Sequence, residues 1–306
     1  MIHGHGLNGT HGQIRGEHFD KIAYQEKLVI TGCNMIGMSS EDVDVILELL
    51  SDLSGFPAVG DRLHQGVLDH AFLARAMKTG FDQVPEIAAS GLVIDPGAIY
   101  YSGISQGGIF GATHMAMSLD ITRGHLGVPG NNYSTLLQRS VDFNPFFVLI
   151  GFGYPDARDQ QVLLGAIQNL WDRVDPVSHY RHISTDLYPG TPPHSVLLAS
   201  ATGDYQVALL TNEIATRSDA GVALLPGYGK EVALVEPSPY PHTGSGLVNY
   251  SFGNPWPPPG NKPPHDDVGD PHGKPRSLDW HNAQMMHFYR TGEIIDVCGG
   301  DGCTPD

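Results

Sequence analysis

Positive charge is scarce in this chain: 17 lysines and arginines stand against 33 aspartates and glutamates in 306 residues, a formal charge of -16. That balance repels phosphate backbones and anionic lipid, and so argues against nucleic-acid binding. A long apolar run is also missing. Nothing approaches the ~18 consecutive apolar residues of a membrane-spanning helix, and no signal-peptide pattern stands at the N-terminus. No internal repeat occurs at solenoid or propeller periods. Cysteine is rare, with 3 residues. Cys298 and Cys303 are spaced either for a small loop disulfide, which would favour a secreted or periplasmic protein, or for a pair of reduced thiols on the tail. Cys33, in Leu28-Val29-Ile30-Thr31-Gly32-Cys33, reads as a buried strand thiol. What remains is 41% hydrophobic residues, enough for one large globular core.

Apolar runs alternate with helical patterns, which predicts a doubly wound, mostly parallel sheet. Leu28 to Gly32 reads as a strand, and Ser39-Ser40-Glu41-Asp42 as the cap of a helix through Leu53. A second helix is expected from Arg62 to Thr79, and a strand around Gly124 to Val128. Residues 130–189 are too long for a simple connection and include two helical stretches, Tyr133 to Arg139 and Gln160 to Val174. They read as a cap inserted into a core of residues 1–129 and 190–306. The cap aromatics Phe143, Phe146, Phe147, Phe152, Tyr154 and Trp171 either line an acyl pocket or pack the cap onto the core. Pro237 to Pro271, rich in proline and glycine, reads as an extended loop, with Trp256 as its anchor.

The chemistry is concentrated at Gly103-Ile104-Ser105-Gln106-Gly107. This pentapeptide follows the apolar run Ala98-Ile99-Tyr100-Tyr101 and precedes a segment, Gly108 to Leu119, that can be helical. A serine hydroxyl is a poor nucleophile, and lifting it onto a sharp strand-to-helix turn exposes it to a base. Such a turn needs small residues two before and two after the serine, here Gly103 and Gly107.

In this kind of enzyme an acid and then a histidine follow the serine in the chain. Asp204 comes just after the apolar run Ser195 to Ser200, where it can orient a histidine or cap the following helix. Glu213 and Asp219 are poorer rivals, inside or after that helix. Of 16 histidines, His272 stands ahead of the last helix and is favoured as the base over His265. His281 and His287 fall on the amphipathic helix Ser277 to Thr291 and read as surface or packing residues. One oxyanion donor is expected at the Gln106 N–H, the other at Leu7, after His5-Gly6. By composition alone, residues 1–20 also read as a disordered or metal-binding tract.

With these pieces in order the chain resembles an α/β-hydrolase serine esterase. The similarity runs from His5 to Cys303 and rests on His5-Gly6-Leu7, Gly103-Ile104-Ser105-Gln106-Gly107, Gly203-Asp204-Tyr205-Gln206-Val207 and His272-Gly273-Lys274-Pro275-Arg276. It is similar, more narrowly, to a bacterial subgroup ending in a cysteine pair. The resemblance implies acyl transfer to water through an acyl-serine, on a small-molecule or polymeric ester, with no metal or organic cofactor. Family members place two or more strands before the His-Gly loop, and this chain has only Met1 and Ile2 there. That predicts either a sequence continuing upstream or a shortened sheet with Leu7 on a poorly anchored edge.

The expected function is a serine carboxylester hydrolase with Ser105 as nucleophile, His272 as base, Asp204 as its orienting acid, and Leu7 and Gln106 as oxyanion donors. Lipase or polyester hydrolase chemistry uses the same constellation. The rivals are a metal-dependent hydrolase built on His3, His5, His11, His18 and Asp20, and an inactive binding member of the fold.

Overall fold

The run from Ser195 to Ser200 is apolar at almost every position, as expected of a strand covered on both faces. In the computed structural model, which describes all residues except 219–220, 265–267, 300–301 and 305–306, it becomes the longest strand, β4 (Ser195–Ala201). The other strands among the described residues are β1 (Ile2–Gly4), β2 (Tyr101–Ile104), β3 (Arg123–Gly127), β5 (Val222–Leu224), β6 (His242–Thr243), β7 (Ser245–Tyr250) and β8 (Glu293–Ile294). Six form one parallel sheet in the order β1-β2-β3-β4-β7-β5, and β6 pairs antiparallel with β8.

Alternate residues of β4 feed two separate cores. Val196 and Leu198 pack with Ala112 and Met115 of the helix Gln106–Met117 and with Ala74 and Met77 of the helix Pro57–Thr79. Leu197 and Ala199 pack with Met285, Phe288 and Tyr289 of the helix Asp279–Thr291. Burying each large apolar side chain contributes about 1.5–3 kcal/mol, so both faces hold the central strands rigidly. The loops that follow the carboxyl ends of β1, β2, β4 and β7 all lead toward one region, the usual ligand site of an open α/β sheet.

The N-terminal edge is better held than expected. β1 pairs in register with β2, Ile2 opposite Tyr101 and Gly4 opposite Gly103. On its other side the Met1 ammonium donates to the Val29 carbonyl at 2.7 Å, and the His3 N–H donates to the Thr31 carbonyl at 2.8 Å. The strand expected from Leu28 to Gly32 is reduced to a single bridge between Thr31 and Ile2. It has a neighbour on one side only, and Gly32 turns away where a Cβ would meet the His3 carbonyl oxygen at 2.8 Å.

Other boundaries also move. The Ser39–Asp42 capping box forms, but it opens a 3-10 turn and a helix of only Val43–Leu49. The Asp52 carboxylate then caps a new turn, Leu53–Gly55, by accepting from the Ser54 N–H. The helix expected from Arg62 starts earlier, at Pro57, a favoured first position for proline. The stretch read as an extended loop from Pro237 contains β7, the sixth strand of the sheet. Gly246 and Asn249 disguise it, and Gly246 is closely packed, a Cβ there lying 2.8 Å from the end of the Ile294 side chain and 3.3 Å from Leu225. Residues 130–189 carry the helices Tyr133–Leu136, Asn144–Gly153 and Ala157–Trp171. Leu164, Ile167 and Trp171 pack there with Phe56, Leu63 and Phe110.

Candidate active site

β2 ends at Ile104, a helix begins at Gln106, and Ser105 between them has φ 59° and ψ -121°. Few residues other than glycine adopt such a conformation, and it persists only where the surroundings enforce it. The glycines supply that enforcement. A Cβ on Gly103 would lie 2.0 Å from the Gly107 carbonyl oxygen, and one on Gly107 would lie 2.1 Å from that of Gly4. The Ser105 N–H donates to Gly127 at 2.9 Å and its carbonyl accepts from Ile109 at 2.9 Å. The hydroxyl is therefore presented by backbone packing alone.

Asp204 and His272 meet over this turn. His272 Nδ1 lies 2.9 and 2.8 Å from the two Asp204 carboxylate oxygens, with both residues buried. Asp204 Oδ1 also accepts from the N–H groups of Gln206 and Val207 at 2.8 and 2.9 Å. Asp204 thus holds its own turn as well as meeting His272, but it does not cap the following helix, Leu209–Arg217, whose N-cap is Ala208 with no side-chain cap. Burial disfavours a charged His272 ring, but the Asp204 carboxylate, with Asp270 and Asp142 beyond it, outweighs burial and raises the pKa. His272 Nε2 carries no hydrogen bond, and such contacts commonly tighten only when substrate binds. His265 and Asp219 lie outside the described residues. Glu213 is committed elsewhere, to Lys230 and the Tyr228 hydroxyl.

Asp270 holds the histidine loop, a role invisible in the sequence. Its carboxylate accepts from the His272 and Tyr205 N–H groups at 3.0 and 3.2 Å and from the Gln206 side chain at 2.7 Å. It thereby ties the loop carrying the histidine to the loop carrying Asp204.

The loop after β1 lies against the elbow: a Cβ on Gly6 would sit 3.8 Å from that of Ser105. His5 staples this loop. Its Nδ1–H donates to the Gly6 carbonyl at 2.8 Å and its Nε2 accepts from the Met35 N–H at 2.8 Å. Burial lowers the His5 pKa, which suits the neutral tautomer these bonds require. The Gly6 N–H donates to the Gln13 side chain at 3.3 Å, and Gln13 in turn meets His3 at 2.8 Å. On the other side of Ser105, the Gln106 side chain is turned to the Tyr133 hydroxyl at 2.7 Å. Of the histidines of the first 20 residues, His3 and His5 are thus bonded within the fold, His11 meets the Asn34 side chain, and the His18 ring lies edge-on to Phe19. Among the described residues no cluster suits a metal ion.

Ser105, His272, Leu7 and Asn8 line one pocket together with Gln13, Asp142, Phe146, Gln206 and Arg276. Burial raises the Asp142 pKa and lowers that of Arg276. A second, apolar cavity shares Leu7, Asn8 and Phe146 with it and is walled in part by Phe143, Phe147 and Trp171. Phe152 is 79% exposed, and the Tyr154 hydroxyl instead accepts from the Leu53 N–H.

Comparison with solved structures matches this arrangement at fold level. Acetyl xylan esterase 1 from Thermoanaerobacterium sp. is 14% identical, covers 82% of this chain, is itself covered to 68%, and gives a TM-score of 0.50. Pyrococcus horikoshii acylaminoacyl peptidase is 14% identical, covers 97% of the chain and gives 0.53. The fold is that of the α/β-hydrolases. The chain spans 38% of that peptidase. No family model matches the sequence, and no curated protein does.

The α/β-hydrolase frame also absorbs the cysteine pair. Cys298 and Cys303 are joined by a disulfide, and the Cys303 carbonyl accepts from the Ser251 N–H at 2.7 Å just beyond β7. Cys33, read as a buried strand thiol, lies outside any strand and is half-buried, 3.3 Å from His70 Nδ1. Burial, with Asp69 nearby, pushes its thiol up to about 12. His281 is fully packed, its Nε2 3.1 Å from that of His125, while His287 remains half-exposed.

Proposed function

We propose that the protein is a serine carboxylester hydrolase. The reading is carried by one observation: a serine held on a strained strand-to-helix turn shares a pocket with a histidine whose far nitrogen is bound to a buried carboxylate. The Ser105 hydroxyl attacks the ester carbonyl carbon, and its proton passes to His272 Nε2. Asp204 keeps the Nδ1–H tautomer and stabilises the imidazolium. The Leu7 and Gln106 N–H groups bind the developing oxyanion. Collapse breaks the C–O bond, and His272 hands its proton to the departing alcohol. Water then attacks the acyl-serine, giving its proton to His272, and the acid leaves as that proton returns to Ser105.

Lipase, polyester hydrolase and peptidase chemistry use the same parts, and the polar pocket lining of Gln13, Gln206 and Arg276 favours a polar leaving group over a long apolar one. The cap of residues 130–189 supplies Asp142 and Phe146 to that lining and is proposed to govern access.

The test is fluorophosphonate labelling beside hydrolysis of 4-nitrophenyl esters, with Ser105→Ala as control. Labelling and turnover should both disappear in the variant, with a rate loss on the order of 10⁴ or more and an unchanged melting temperature. Undiminished esterase activity in Ser105→Ala would sink the mechanism.

A further inference from the structure

Among the described residues, Arg276 is the one lysine or arginine in the lining of the Ser105 pocket, and the reaction steps described so far do not use its charge. Its side chain is half-buried, yet among the described residues its guanidinium meets no carboxylate or other acceptor. Every other arginine except the exposed Arg15 is held by a carboxylate or a backbone carbonyl. A guanidinium withdrawn from water without a partner costs free energy that nothing within the fold returns. Its planar fork of donors matches a carboxylate in shape as well as in charge.

The position of Arg276 selects the part of the substrate it can meet. It sits on the turn Pro275–Ser277, shortly after His272, and a guanidinium nitrogen lies 3.4 Å from the point where a Cβ on Gly273 would stand. The charge is therefore packed beside the base. The turn is fixed from behind, where the Leu278 N–H donates to the Pro275 carbonyl at 3.1 Å and the Asn282 side chain donates to the Arg276 carbonyl at 3.4 Å. In the proposed reaction His272 Nε2 gives its proton to the departing alcohol, so the alcohol portion of a bound ester lies on the histidine side of the scissile carbonyl.

We infer that Arg276 binds a carboxylate on the alcohol portion of the substrate, which makes the enzyme selective for esters of hydroxy acids. The inference rests on the proposed hydrolase reading and adds the substrate class. The chain as a whole, at a formal charge of -16, repels anions, so an anionic substrate needs a dedicated cation in the pocket. Asp142 lines the same pocket, and among the described residues no ion pair joins it to Arg276. A second negative charge on the ligand would meet that carboxylate, which selects a carboxylate over a phosphate dianion.

The experiment compares kcat/KM for 4-acetoxybenzoate and 4-acetoxybenzamide, which differ in one charge on the alcohol side, each divided by its rate constant for hydrolysis by hydroxide. The wild-type enzyme should prefer the carboxylate by about tenfold or more, and less so as salt is added. Arg276→Gln should lower that preference at least about tenfold, Arg276→Lys should keep part of it, and Arg276→Glu should invert it. The ratio carries the test, because a damaged fold lowers both rates together. No preference in the wild type, or an unchanged preference in an Arg276→Gln variant that still labels at Ser105, overturns the carboxylate site while leaving the hydrolase reading intact. A preference seen only with the charge on the acyl side, as in mono-4-nitrophenyl succinate against 4-nitrophenyl butyrate, overturns the assignment to the alcohol portion. Faster turnover of 4-acetoxyphenyl phosphate than of 4-acetoxybenzoate overturns the choice of a carboxylate. Absence of both turnover and Ser105 labelling overturns the hydrolase reading itself, and the substrate class with it.

Discussion

The serine turn and the histidine loop reach the same pocket by opposite means. The turn is steric: five consecutive residues, with glycine at the two critical places, leave the backbone one arrangement, and neighbouring carbonyl oxygens stand about where methyl groups would be. The histidine loop is polar. Its hold on His272 comes from Asp204 and from Asp270, 68 and 2 residues away in sequence. A steric device is local and intolerant of any added atom. A polar device is assembled at long range and fails by degrees as bonds are removed.

Asp204→Asn should produce the largest effect after loss of the serine itself. It keeps the shape of the loop but removes the charge that stabilises the imidazolium, so kcat should drop by on the order of 10⁴ with little change in melting temperature. Gly107→Ala should show the contrasting failure. A single methyl meets the Gly4 backbone, and both activity and stability should fall, the latter by about 3 kcal/mol in denaturant titration. Equal stability in that variant would refute the steric account.

Asp270→Ala tests the graded behaviour of the polar side. The His272 loop loses its tie to Tyr205 and Gln206, and a displaced base lowers kcat/KM by about 10². Fluorophosphonate labelling should be slowed rather than abolished. Complete loss of labelling in a folded variant would mean that Asp270 takes part in the chemistry instead of positioning the loop.

The smallest effect is expected on the pH profile. The base must be neutral, so kcat/KM falls as pH drops through the raised His272 pKa. Asp142 is among the carboxylates that raise it, and Asp142→Asn removes that contribution. The acid limb should therefore move to lower pH while the alkaline plateau stays where it is. Movement to higher pH would contradict this assignment.

Legibility follows the same division. Ser105, Gly103 and Gly107 could be read directly because their constraint is written in adjacent residues. Asp204 and His272 were legible through chain order and through apolar runs that end in polar turns. Asp270 and His5 were not, since an aspartate before a proline and a histidine before a glycine carry no sign of which distant N–H groups they will meet. β7 was missed for a related reason. Gly246 and Asn249 break the apolar run of a buried strand, and the close packing of Ile294 and Leu225 on the glycine comes from elsewhere in the chain. The strand expected at Leu28 to Gly32 erred the other way, because apolar residues can read as a strand where the sheet supplies a neighbour on one side only.

The sequence by itself determined the alternation of buried runs and helices, the serine turn, and the chain order of Ser105, Asp204 and His272, the first two of which rest on local sterics and periodic burial. Tertiary structure alone decided that the carboxylate facing His272 is buried with it, how the Leu7 loop is pinned beside the serine, and that Phe143, Phe146, Phe147 and Trp171 border a cavity while Phe152 faces solvent. Those outcomes depend on groups brought within hydrogen-bonding or van der Waals reach from far along the chain, and interactions that short cannot be assigned until the fold has set the distances.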